Sequence, residues 1–169
     1  MAVTQQLARL PMPVLTACRA SVEELDRLCS FVTLPRSEYL DLNWAPPDLI
    51  RVFELARLET GTVIALRRAM EGDTEINPAY RDAPDTVWEH PVNALEPDAV
   101  AEVATVLGRI DPEAVLDVLP DDPAAAEEVL DSSDWHGHPR PYLREYLTAL
   151  LDFYAHAARR GLATALWWD

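Results

Sequence analysis

Residues Pro139–Asp169 read PRPYLREYLTALLDFYAHAARRGLATALWWD, and their pattern decides the fold. Pro141 sits where a helix can begin, because a first-turn residue has no intrahelical partner for its N–H and proline's φ is already helical. Leu143, Tyr146, Leu147, Leu150, Phe153, Tyr154 and Ala157 then recur at three- and four-residue spacing, with Arg144, Glu145, Thr148, Asp152, His156 and Arg159 on the other side. The spacing predicts a helix with one buried and one wet face. Arg159 and Arg160 fall at the negative end of the helix dipole, and Gly161 supplies the left-handed residue that ends a helix. Leu162–Trp168 (LATALWW) is apolar on both faces apart from Thr164, the pattern of an inner strand in a covered sheet.

Working backwards, three helix starts share one form. Glu96-Pro97, Asp111-Pro112 and Asp122-Pro123 each place a carboxylate before a first-position proline. The acid favours the positive end of the dipole, and Asp also accepts the orphan N–H groups there. Residues 72–95 hold Gly72, Pro78, Pro84 and Pro91 and little regular pattern, a long connection of the kind that is mobile or belongs to a site. Within it Thr86–His90 reads as a short strand that Pro91 confines to an edge. Ahead of it, two helices broken at Thr60-Gly61 form an αα-hairpin, preceded by a connector over Arg36–Trp44. Ser21 and Glu24 make a capping box that opens another helix. Val3–Leu10 favours β in its first half, and Val14–Cys18 reads as a strand or as a helix begun at Pro13.

Composition sets the limits. A chain of 169 residues, 49% hydrophobic, fits one domain over residues 1–169 and excludes wholesale disorder. The formal charge is −15, and all fourteen basic residues are arginine. That balance repels phosphate backbones and anionic lipid, so neither nucleic acid nor membrane is an expected partner, whereas a basic protein is. Cys18 and Cys29 have neither zinc nor disulfide spacing and read as free, half-buried thiols. No apolar run reaches the length of a membrane span and no signal pattern opens the chain, so the cytoplasm is expected.

Chemistry is sparse. His136 and His138 flank Gly137 near Asp134, yet a polar loop does not align two rings as a strand does, and only His90 remains as a third ligand. No metal and no cofactor is expected. Ser132 and Ser133 lack a nucleophile-elbow setting, and the five glycines are too dispersed for a phosphate loop. Trp44, Trp88 and Trp135 all fall in connections, where a large amphipathic ring plugs the core edge or lines a groove. Converging with Tyr39, Tyr80 and His90, they would wall a pocket with polar tips. The candidate ligand-binding residues are therefore Trp44, Trp88, His90, Trp135, His136 and His138.

The stretches VTQQLARL, LDLNW, WEHPVNALEPDAVAEVATVLGRID and HPRPYLREYLTALLDFYAHAARRGLATALWWD together resemble the YfbM-like proteins, a bacterial domain of unknown function. The resemblance spans nearly the whole chain and carries no catalytic residue. It implies a three-layer arrangement in which helices cover a small sheet, with VTQQLARL a strand and residues 13–19 helical.

The expected architecture is α+β, five to seven helices around a small sheet containing residues 3–9 and 162–168. Two functions from different classes follow. One is a non-enzymatic binding or interaction protein with a strongly acidic surface, compatible with homodimerisation. The other is a small hydrolase-like enzyme whose site is formed by the loop tryptophans and histidines.

Overall fold

The strand predicted from LATALWW is the middle of the molecule. A computed structural model describes residues 3–132 and 137–169, and among them eight α-helices and five strands form. These are β1 (Gln5–Leu10), α1 (Met12–Ala20), α2 (Val22–Cys29), β2 (Tyr39–Asn43), α3 (Ala45–Leu55), α4 (Thr60–Glu71), β3 (Thr74–Glu75), β4 (Glu89–Leu95), α5 (Pro97–Leu107), α6 (Pro112–Leu116), α7 (Pro123–Leu130), α8 (Arg140–Arg159) and β5 (Ala163–Trp168). The strands make one antiparallel sheet in the order β2-β1-β5-β4-β3. The fold is α+β, with the N- and C-terminal strands paired at its centre. Helices exceed the expected five to seven because α6, of only five residues, is counted as one.

Alternation along the strands divides the core in two. Leu7, Leu42, Leu95 and Leu166 face α3, α4, α5, α6 and α8 in one cluster. Ala8, Leu10, Val92, Ala94, Ala163, Ala165 and Trp167 face α1, α2 and the 3-10 segment Pro78–Asp82 in the other. Because side chains of successive strand residues point to opposite faces, a strand covered on both sides must be apolar throughout. In β5 that leaves Thr164, fully buried, within 3.5 Å of the Tyr154 hydroxyl.

Several local expectations need correction. Arg36–Trp44 is not a connector: a 3-10 turn at Arg36–Glu38 leads into the edge strand β2. The break between α3 and α4 lies at residues 56–59, where Arg57 takes φ 51° and ends α3, and Thr60-Gly61 is already the first turn of α4. The segment 72–95 is largely ordered into β3, a 3-10 turn and β4. Pro91 does not confine β4 to an edge. It sits where Glu89 pairs with Trp168 and the next pair is Asn93 with Leu166, so β4 spends four residues against two of β5. This bulge is the other place a proline is tolerated, because no ladder N–H is needed there. The His90–Pro91 bond is cis. Cys18 and Cys29 are free but fully rather than half buried. The capping box is half formed: Ser21 accepts from the Glu24 N–H at 3.3 Å, while its own N–H bonds to Ala17.

Candidate functional site

The bulge opens the sheet between β4 and β5, and a cleft of about 190 Å³ lies there. Its apolar walls come from Met70, Pro91, Leu166 and Trp168, and its polar wall from Gln5, Glu71, Glu89, His90 and Asn93. How α4 ends decides the character of that polar wall.

The last four carbonyls of a helix have no intrahelical partner and carry the negative end of its dipole. In α4 all four are answered. Arg68 O accepts from the Gly72 N–H at 2.9 Å, Ala69 O from the Tyr154 hydroxyl at 2.7 Å, Met70 O from Gln5 Nε2, and Glu71 O from Asn93 Nδ2 at 2.7 Å. Three elements, α8, β1 and β4, thus reach across the core to one helix terminus. Gly72 permits this closeness. At φ 72° and ψ 180° it occupies a region almost closed to other residues, and a Cβ there would lie 2.7 Å from the Cβ of Asn93.

Since a carbonyl must be met by the NH2 end of a carboxamide, Gln5 turns its Oε1 the other way. Gln5 is 2% exposed, and that oxygen has no partner among the described residues. Buried polar atoms are nearly always bonded, so an orphan on a cleft wall is informative. Glu89 stands at the rim, exposed and without an ion pair among the described residues, while Glu71 is 3.5 Å from Arg67. His90 packs edge-on to Tyr80 at 5.5 Å between centroids, sets Nε2 2.9 Å from Thr86 Oγ1 and leaves Nδ1 unbonded. The Trp167 indole N–H is also unbonded, but that ring lies on the opposite face of the sheet against Phe31 and Tyr39. Beside the α4 terminus, then, Gln5 Oε1 is an acceptor left unbonded among the described residues.

The other candidate residues fall elsewhere. Trp44 lies between β2 and α3, is 56% exposed, donates its indole N–H to Val3 O at 2.8 Å, and lines a separate groove of about 930 Å³ with Asp48, Arg51, Glu54 and Arg67. Asp48 is nearly buried there, and burial pushes its carboxyl above the usual range, partly offset by a hydrogen bond with Ser132. His138 braces a turn: its Nε2 lies 2.7 Å from Pro120 O and its Nδ1 accepts from the Arg140 N–H at 3.0 Å. Trp88, 73% exposed, precedes Glu89. Trp135 and His136 lie outside the described residues. The structure thus puts His90 at the bulge cleft, with Tyr80 packed against its ring in the core, and Trp44 and His138 in other places. Gln5, Asn93 and Glu89 went unnoticed in the sequence because nothing local marks them. Their roles arise from pairing with residues tens of positions away.

Residues 52–167 match a family described as Domain of unknown function (DUF1877). The chain belongs to that family. The DUF1877 match includes α4, β4 and most of β5, hence most of the bulge cleft, while Gln5 lies before it. Among solved structures, YfbM from Escherichia coli, itself described as a protein of unknown function, superposes with a TM-score of 0.61 over 98% of this chain and 99% of its own, at 13% identity. At that identity the likeness shows a shared fold, which is the YfbM-like arrangement expected from the sequence. A search of curated proteins returns no match. No metal-binding group of three or more His, Cys, Asp or Glu side chains occurs among the described residues, and no helix among them is long and apolar enough to cross a membrane.

Proposed function

We propose that this DUF1877 protein is a binding module, without catalytic activity of its own, that meets a basic protein partner. The observation that carries the reading is how the charges are arranged. Ten of the fourteen arginines pair with carboxylates of the same chain among the described residues, from Arg9 with Glu38 to Arg160 with the same Glu38. The cations are thereby neutralised locally. Asp98, Asp117, Glu128 and Asp152 are exposed and have no such partner among the described residues. A field of one sign steers an oppositely charged partner and is screened within about 10 Å at ordinary salt.

Trp44 and Trp88, both largely exposed, add ring faces on which a cation can rest. Two free thiols suit the reducing cytoplasm, where we place the protein. The test is binding of a fluorescent oligolysine peptide, with oligoglutamate as control, at low and high salt. Oligolysine should bind and release as salt rises. If neither peptide binds, or both bind with no salt dependence, the reading fails.

A further inference from the structure

We propose that the bulge cleft between β4 and β5 is a pocket for one primary ammonium group on an alkyl stem, as a lysine side chain of the partner presents it. This inference rests on the binding reading above and names the anchor point within it. Three independent features point to a cation. The C-terminus of α4, a twelve-residue helix, ends on the cleft wall at Met70 and Glu71 and brings the negative end of its dipole. Gln5 Oε1, on a residue 2% exposed, is an acceptor without a donor among the described residues. Glu89, exposed at the rim, has a carboxylate with no ion-pair partner among the described residues.

The chemistry narrows the cation. A calcium ion wants six to eight oxygen ligands, but each α4 carbonyl here has already taken one donor and the cleft carries a single unpaired carboxylate. A guanidinium wants a planar pair of acceptors matched to its fork, whereas the acceptors here are separate groups, the Gln5 carboxamide oxygen and the Glu89 carboxylate at the rim. An ammonium has three rotatable donors that suit such scattered acceptors. Met70, Pro91, Leu166 and Trp168 offer the apolar surface along which a methylene stem lies. At about 190 Å³ the space matches one such side chain and is too small for a folded element. The occupant is not a second copy's lysine, since the chain contains none.

The experiment titrates the ¹⁵N-labelled protein with n-butylammonium, Nα-acetyl-lysine amide and a lysine-containing peptide, following the side-chain NH2 signals of Gln5 and Asn93 and the indole N–H of Trp168. Shifts confined to these groups, together with about tenfold weaker binding in Glu89→Gln, are expected, as for the loss of one charge-assisted hydrogen bond. Asp117→Asn, which removes the same charge from an exposed helix end elsewhere, should bind like the parent. Binding by n-butylammonium alone would show a free amine to be the occupant and overturn the partner lysine. Equal weakening in both variants would overturn the cleft and leave the acidic-surface reading standing. Displacement by calcium or potassium at matched concentration, or no shift at Gln5, would also overturn it.

Discussion

The hydroxyl of Tyr154 on α8 donates to the main-chain carbonyl of Ala69 on α4 across 2.7 Å, inside a core where both residues are fully buried. Tyr154→Phe leaves that carbonyl without its donor and also strips a neighbour from the buried Thr164 hydroxyl at 3.5 Å. An unsatisfied buried acceptor costs on the order of 1–3 kcal/mol. The midpoint of urea unfolding should fall accordingly with an unchanged slope, and an unchanged midpoint would mean that the bond contributes nothing net.

Gly72→Ala should be worse than Gly161→Ala. Both glycines have positive φ, but a Cβ at Gly72 meets Asn93 at 2.7 Å and Leu166 at 3.2 Å, whereas nothing lies within 4 Å at Gly161. The first adds steric overlap to a backbone strain of roughly 1–3 kcal/mol, and the second carries the strain alone. Thermal melts of the two variants compare them directly.

Deleting Leu162–Asp169 removes β5, which separates β1 from β4 and pairs with both. Both hydrophobic clusters lose members, Leu166 from one and Trp167 from the other. The truncated chain should show no cooperative thermal transition, and a sharp one would refute the central place given to this strand.

Asp48 gives a pH dependence of definite sign. Burial raises its carboxyl in the folded state, so between its unfolded and folded titrations the native state holds the extra proton. Stability from this group therefore falls as pH rises through that window. Asp48→Asn, which cannot ionise, should raise the melting temperature near neutrality relative to the parent and lose that advantage in acid. The opposite trend would show that the bond with Ser132 outweighs desolvation.

The cysteines should be silent in the native state. Cys18 and Cys29 are at most 2% exposed, and burial pushes the Cys18 thiol up to about 11 and Cys29 higher than usual. The thiolate is the reactive form, so a chromogenic disulfide should count no thiols in buffer and two in denaturant.

The sequence disclosed what periodicity and caps encode. The α8 stripe, the stop at Gly161 with φ 62°, and the Asp111 and Asp122 caps, whose carboxylates accept from Glu113 and Ala125, appear where the residues announce them. Glu96 shows the limit: its side chain caps nothing and pairs with Arg19 at 2.5 Å instead. β2 and β4 are not marked by their residues alone, because short strands containing Asp41 or Pro91 become strands only through their partners. His90 stood out by residue type, but Gln5 resembles any polar strand residue until Met70 is seen to hold half of its amide.

The terminus of α4 is tied by Tyr154, Gln5 and Asn93 from three separate elements. A helix end normally frays, but here unwinding one turn means detaching a neighbouring helix and two strands together. The receptor surface is consequently rigid before a guest arrives, so engagement carries little ordering penalty and should proceed as one fast, single-phase event.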